Sequence, residues 1–392
     1  MSFDTIDLLS GNIFQITWDL GRRCNYDCSY CPAHRHDNFS PHASLDDLKS
    51  NTDFLFEYID TYMQYRNNKL ASISFTGGEP TVNPNFIPFV KYLNDEYYKK
   101  YSHKWDANIG LTTNGAMSEK MAEAVIDNIQ HVTVSYHTES DDKLRQQVKD
   151  RIKQFRDAEI KYPKDFRMNV NVMFHAQQFD ECKDLCKWLD TLGCKYVPRV
   201  IGEEPDSKAT FAHEYTPDQL DYIKNYWKYK NAKLNDEEEV SKVLSAAGEK
   251  KNEATKVLGS SIGRPCCGMR EMCLSSAGGE SRKSTFVNMR EFKGWHCSVN
   301  WFFLHLEQQT DQVFHHQTCQ ARFDGTRGPI GKISEGKKII ADLKEKLSMN
   351  KMPTIVCPKQ TCSCGLCAPK SKFKDSYVDT LKNHFNVEIL DV

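Results

Sequence analysis

The chain lacks several things that would settle its class at once. No apolar run approaches the ~20 residues needed to span a bilayer, so a membrane anchor is not expected. Neither sign of charge is in excess: 52 basic against 53 acidic residues leave a net charge of −1. That excludes a strongly basic chain of the kind that coats nucleic acid, and leaves a local basic groove open. The N-terminus carries Asp4 and Asp7 and has no basic stretch of the kind that opens a secretory signal peptide. No internal repeat and no long low-complexity tract is visible. What remains is an ordinary globular balance, 39% hydrophobic and 27% charged over 392 residues. A cytoplasmic protein is expected.

Cysteine is abundant. Fifteen are present, too sparse for a disulfide-built mini-scaffold and many for an average enzyme. In a reducing compartment disulfides do not persist, and clustered thiols read as metal or cluster ligands. The groups are Cys24, Cys28 and Cys31; Cys182, Cys186 and Cys194; Cys266, Cys267 and Cys273; Cys297 and Cys319; and Cys357, Cys362, Cys364 and Cys367.

Through residue 205 short β-rich runs alternate with helical stretches. The strands expected are Phe14–Asp19, Ala71–Thr76, Asn108–Thr113, His131–Tyr136, Arg167–Phe174 and Lys195–Gly202. The helices expected are Leu45–Tyr65, Pro84–Lys99, Ser118–Asn128, Asp141–Ala158 and Phe179–Thr191. Ser44 with Asp47 three residues on is a capping-box-like start for the first of them. Repetition of this kind implies a mostly parallel sheet with right-handed crossovers. The fold class is therefore α/β, a partial (β/α)6 TIM-like barrel over 1–205. A helical connector over 206–260 and a smaller α+β cysteine-rich domain over 261–392 follow. In the last, Trp301–Glu307 and Gln312–His316 read as a hairpin, and Ser334–Met349 and Lys374–Phe385 as helices. Functional residues should gather where the parallel strands end.

The motif Cys24-Asn-Tyr-Asp-Cys28-Ser-Tyr-Cys31 sits at such a strand end, on a loop closed by Pro32. Three thiolates on one short loop can hold three corners of a cubane iron–sulfur cluster. One metal is then left open to a substrate or cofactor. The bland alternative is a closed zinc site completed by His34 or His36. Polar groups and turn glycines end the next three strands: Gly77-Gly78-Glu79 after the second, Thr113-Asn114-Gly115 after the third, and Val134-Ser135-Tyr136-His137-Thr138-Glu139 at the end of the fourth. Each is commonplace singly. Their order after a C-x3-C-x2-C loop is specific.

Over residues ~12–205 these motifs resemble the radical S-adenosylmethionine (SAM) superfamily. The resemblance implies that Cys24, Cys28 and Cys31 bind a four-iron four-sulfur (4Fe-4S) cluster. SAM would chelate its open iron through amino and carboxylate groups. Tyr30 would lie near the adenine, Gly77, Gly78 and Glu79 would hold the methionyl amino group, and Ser135 would contact the ribose or carboxylate. Thr113, Asn114 and Arg199 are looser transfers. It implies an oxidoreductase or maturase-type enzyme: the reduced cluster donates an electron, the sulfonium S–C5′ bond breaks, and the 5′-deoxyadenosyl radical abstracts a substrate hydrogen. An external electron donor such as flavodoxin or ferredoxin is implied as partner.

The later cysteines, Cys297, Cys319, Cys357, Cys362, Cys364 and Cys367, resemble the SPASM/twitch extensions of that superfamily. This implies one or two auxiliary iron–sulfur clusters, although the C-x4-C-x-C-x2-C spacing departs from the usual one, and a structural zinc is the alternative. Cys266, Cys267 and Cys273 read equally as extra ligands or buried thiols. Cys182, Cys186 and Cys194 read as core packing. The extension favours a peptide or protein side chain as substrate, though only 23 residues precede Cys24, with no recognition module fused there. The alternative substrate is a nucleotide, RNA base or small metabolite, with Arg264, Arg270, Arg282 and Arg290 available for phosphate. A third reading is a non-enzymatic metal scaffold or sensor. The sequence singles out no catalytic acid or base.

Overall fold

The structure, a computed structural model, describes residues 5–6, 13–201, 211–224, 226, 292–315, 328–349, 355–358 and 370–385. Cys266, Cys267, Cys273, Cys319, Cys362, Cys364 and Cys367 lie outside them, as do Arg264, Arg270, Arg282 and Arg290 and most of the expected connector.

After a short strand β1 (Thr5–Ile6), six strands alternate with helices: β2 (Phe14–Asp19), α1 (Leu45–Met63), β3 (Leu70–Thr76), α2 (Phe86–Lys100), β4 (Asp106–Thr113), α3 (Glu119–Asn128), β5 (His131–Tyr136), α4 (Asp142–Lys161), β6 (Arg167–Phe174), α5 (Phe179–Thr191) and β7 (Tyr196–Val200). Strands β2 to β7 pair in sequence order, all parallel. This is the α/β partial barrel that the alternation implies. The expected start of α1 is seen: Asp47 N–H donates to Ser44 Oγ at 3.1 Å and the Ser44 hydroxyl donates back to Asp47 Oδ2 at 2.6 Å.

One face of each strand is buried under the helices. Trp18 and Phe75 pack on Phe89 of α2 with ring centroids 5.2 Å apart in each case. Burying side chains of this size stabilises the barrel wall by ~1.5–3 kcal/mol apiece. The opposite face is polar and only half-buried: Ser72 and Ser74 on β3, Thr133 and Ser135 on β5, Asn169 and Asn171 on β6. A filled barrel would carry branched apolar residues there.

Beyond α6 (Pro217–Lys224), the C-terminal residues build β8 (His296–Cys297), α7 (Val299–Phe302), β9 (Phe303–Glu307), β10 (Gln312–Phe314), β11 (Gly331–Lys332), α8 (Gly336–Ser348), β12 (Ile355–Val356), β13 (Lys370–Ser371) and α9 (Lys374–Lys382). The expected hairpin is β9–β10. It does not stand apart from the barrel. Strand β9 pairs in parallel with β2 over Gln15–Asp19, so the large sheet runs β11-β10-β9-β2-β3-β4-β5-β6-β7. Its addition covers an edge that β2 would otherwise expose, and it buries Leu304 and Leu306. The small second sheet, β1-β13-β8-β12, is antiparallel. It is tied to the barrel by Arg66, whose guanidinium is buried 5.1 Å from the Phe302 ring and 5.3 Å from the Phe385 ring.

Candidate active site at the cysteine loop

The chain leaving β2 keeps pairing with the chain leaving β3. Leu20 N–H donates to Thr76 O at 2.9 Å, Gly78 N–H to Gly21 O at 2.8 Å and Glu79 N–H to Arg23 O at 2.9 Å. The two glycines are explained here. Gly77 has φ +119°, and a Cβ on it would lie 2.4 Å from Gly21 O. A Cβ on Gly78 would lie 2.3 Å from both Arg22 O and Arg23 O. What the absent side chains admit is thus the backbone that leads into the cysteine loop, where the sequence suggested a ligand.

The loop itself is held by its own backbone. Cys24 N–H donates to Asp37 O at 2.7 Å, Asp37 N–H to Arg22 O at 3.0 Å and Cys31 N–H to Cys28 O at 3.1 Å. Burial pushes the Cys28 thiol well above its usual range, and the neighbouring Cys31, Glu139 and Cys24 charges add to this. Burial also raises Cys24, against a hydrogen bond from Tyr26 N–H. Thiolates are favourable in such a place only opposite positive charge, which iron supplies. The three sulfurs are not drawn together as ligands of a single ion would be. Among the described residues, only Asp19, His305 and Glu307 bring three ligand atoms within 4.8 Å of one another. A tetrahedral zinc with ~2.3 Å bonds to sulfur would draw thiolates closer still. His36, one suggested fourth ligand, instead faces Asp27 at 3.3 Å. The donor set fits a cluster.

Glu79 organises the rim and is buried. Its Oε1 accepts from Thr81 N–H at 3.1 Å, the Thr81 hydroxyl at 2.7 Å and the Thr113 hydroxyl at 2.7 Å; its Oε2 accepts from Asn114 N–H at 2.6 Å. Burial raises its pKa and these donors oppose the rise. Asn114 passes the order on: its Nδ2 donates to Asn25 Oδ1 at 2.7 Å and lies 3.8 Å from Cys24 Sγ. Gly77, Gly78, Glu79, Thr113 and Asn114 therefore converge on the loop at Cys24.

Ser135 and Arg199 sit further round the sheet. Ser135 is in register with Asn171, and Arg199 Nε donates to Asn171 Oδ1 at 3.1 Å. Tyr30 is buried, its hydroxyl 2.5 Å from His137 Nδ1, with the two rings stacked at 5.9 Å. Burial lowers His137 to about 4, against the pull of Glu139. His137 and Glu139 lie in the stretch that ends the fourth strand, where the sequence assigned them no role of their own, and His175 went unsignalled because no short motif contains it.

Of the C-terminal cysteines, Cys297 and Cys357 are described, and both are buried. Cys297 lies opposite Ile355, and Cys357 N–H donates to Trp295 O at 2.8 Å. The antiparallel register thus sets the two on one face as diagonal neighbours, ~7–8 Å apart between backbones. Cys182, Cys186 and Cys194 are buried in the core, as their helical and strand-edge positions suggest.

Among known proteins, the sequence model of the Radical SAM superfamily matches residues 18–189. A GTP 3′,8-cyclase of Nautilia profundicola is 27% identical over 173 residues, 43% of this chain and 50% of that protein. One of Aliarcobacter butzleri is 31% identical over 117 residues, 30% of this chain and 32% of its own length. The chain thus spans half or less of the length of the curated relatives it matches, from 28% to 50%. A solved structure of histidine-tagged anSMEcpe with bound AdoMet superposes with a TM-score of 0.51 at 15% identity, covering 84% of this chain and 80% of that one. That likeness is one of fold. The segment 18–189, which carries the cysteine loop and the glycine rim, is thus the part of this chain that matches the Radical SAM superfamily.

Proposed function

We propose that the chain is a radical SAM enzyme acting on a nucleotide or a similarly polar small metabolite. Cys24, Cys28 and Cys31 would hold the 4Fe-4S cluster, and SAM would occupy its open iron. When bound, that pair supplies a one-electron cleavage of SAM and a carbon radical able to take a substrate hydrogen. The observation that carries the reading is the cysteine loop laid along the Gly77–Glu79 strand extension, at the C-terminal ends of a parallel sheet.

The chain's own residues prepare the place. Gly77 and Gly78 let the loop approach. Glu79, with its four donors, fixes the rim so that Thr113 and Asn114 stand beside Cys24. Tyr30 offers a buried aromatic surface, and Ser135 on β5 and Arg199 on β7 offer polar contacts further round the sheet. The half-buried polar face of β3, β5 and β6 suits a substrate with many hydrogen-bonding groups. It suits an apolar peptide side chain poorly. The GTP 3′,8-cyclases among the relatives point the same way, so the nucleotide reading moves ahead of the peptide one. Cys297 and Cys357, with the cysteines beyond the described residues, remain our candidates for an auxiliary cluster, and an external reductant such as flavodoxin or ferredoxin would supply electrons.

The test is 5′-deoxyadenosine formation by anaerobically reconstituted protein with SAM and reductant, against nucleoside triphosphates and against peptides. Stimulation by nucleotides is expected. Stimulation by peptides alone would restore the other substrate class. No SAM cleavage by protein with a full complement of iron would end the reading.

A further inference from the structure

Glu139 lies just past β5, at the close of the strand-end stretch Val134–Glu139, and the function proposed above gives it no part. Its carboxylate reaches across to the cysteine loop. Oε2 accepts from Ser29 N–H at 2.8 Å, and the Ser29 hydroxyl makes a short hydrogen bond to Oε1. His175, just past β6, brings Nε2 to 3.0 Å from Oε1. Gln177 N–H donates to His175 Nδ1 at 3.2 Å, which places the imidazole proton on Nε2. His175 is then a neutral donor, as Ser29 is. Three separate elements meet at one carboxylate: the loop between Cys28 and Cys31, the end of β5 and the end of β6.

The nearby charges do not cancel it. Arg145, whose Nη1 donates to Thr138 O, is engaged by Asp142 and by Glu181 at 2.9 Å. A fixed negative charge beside a cluster disfavours adding an electron to it, since cluster potential follows local charge and hydrogen bonds to the sulfurs. Glu139 also takes up the Ser29 N–H, a donor one residue from Cys28 that could otherwise serve a sulfur. Both effects act in one direction.

We propose that Glu139 is a positioning residue that clamps the cysteine loop to the ends of β5 and β6, and that its charge lowers the reduction potential of the cluster held there. This rests on the cluster reading above. The loop would be shaped before the cluster arrives, and the bound cluster would be tuned as a strong reductant.

The experiment uses the full chain, reconstituted anaerobically, as wild type, Glu139→Gln, Glu139→Ala and Ser29→Ala. Iron and sulfide per chain and an EPR-monitored redox titration without SAM are the readouts. Glu139→Gln keeps an acceptor and loses the charge, so it should retain iron while its midpoint shifts to more positive potential. Glu139→Ala loses both, and cluster affinity should fall by roughly tenfold or more. Ser29→Ala should lower retention while leaving the midpoint near that of wild type. A Glu139→Gln midpoint equal to wild type overturns the charge role. Full iron in both alanine variants overturns the clamp. A wild-type chain that takes up no iron and sulfide fails earlier, and removes the cluster reading itself.

Discussion

Cys24, Cys28 and Cys31 stand on a loop held by backbone hydrogen bonds with Asp37 and by the side chain of Asn114, whose own backbone N–H is held by Glu79, whereas Cys182, Cys186 and Cys194 stand on and after α5 among apolar neighbours. Burial raises thiols in both sets: Cys182 and Cys194 are each pushed up to about 11. What differs is company. Cys28 feels two other thiols and a carboxylate, a concentration of negative charge that calls for a cation. Burial dominates at Cys182 and Cys194, with hydrogen bonds and single charges as lesser influences. A cysteine count therefore says little until the neighbours of each sulfur are known.

The most direct way to break this comparison is to exchange the fates of the two sets. Cys28→Ala should abolish cluster uptake, measured as iron and sulfide per chain, while Cys182→Ala should leave it intact. Retained iron in the first variant would put the two sets on one footing.

A smaller effect is expected from the rim. Gly78→Ala forces a methyl against Arg22 O and Arg23 O, and such overpacking costs ~1–3 kcal/mol. Urea unfolding should show that loss. Wild-type stability would mean that the loop does not lie along this strand extension. Glu79→Gln turns an amide NH2 toward groups that are themselves donors, at ~1–3 kcal/mol. The same titration reads it, and a null effect would remove Glu79 as organiser.

The smallest expected signal is a pH dependence. His137 has its pKa lowered to about 4 by burial, so the folded state keeps it neutral where the unfolded chain would protonate it. Its contribution to stability is present above the ordinary histidine value of ~6.5 and is lost as pH falls through the window toward 4. Melting temperature should decline over that window in wild type and less steeply in His137→Gln. Parallel curves would show that His137 titrates normally.

Much of the barrel was legible because its signals are local. The six strand runs and the helices between them follow period-two and period-3.6 patterning, and the Ser72, Ser74, Thr76 alternation already marks a polar face. The loop motif was legible for the same reason, with three ligands inside eight residues. What escaped is long-range. Ser29 and Glu139 are 110 positions apart. The hairpin at β9–β10 was visible, but its parallel seat on β2 was not, since nothing within Phe303–Glu307 names its partner. That pairing also brings Asp19 beside Glu307 and His305, with His305 Nε2 at 3.6 Å and 3.3 Å from the two carboxylates. Glu79 was marked as a rim residue, yet its role as acceptor for Thr81, Thr113 and Asn114 needed the fold.

The central claim is an iron–sulfur cluster on Cys24, Cys28 and Cys31 with one iron left without a protein ligand. Mössbauer and EPR spectra of the anaerobically reconstituted chain, recorded before and after adding SAM, test it most directly. The account predicts four irons with four sulfides on these cysteines, one iron distinct from the other three, and a spectrum that changes when SAM binds. Zinc without sulfide, or a cluster whose spectrum ignores SAM, would contradict it.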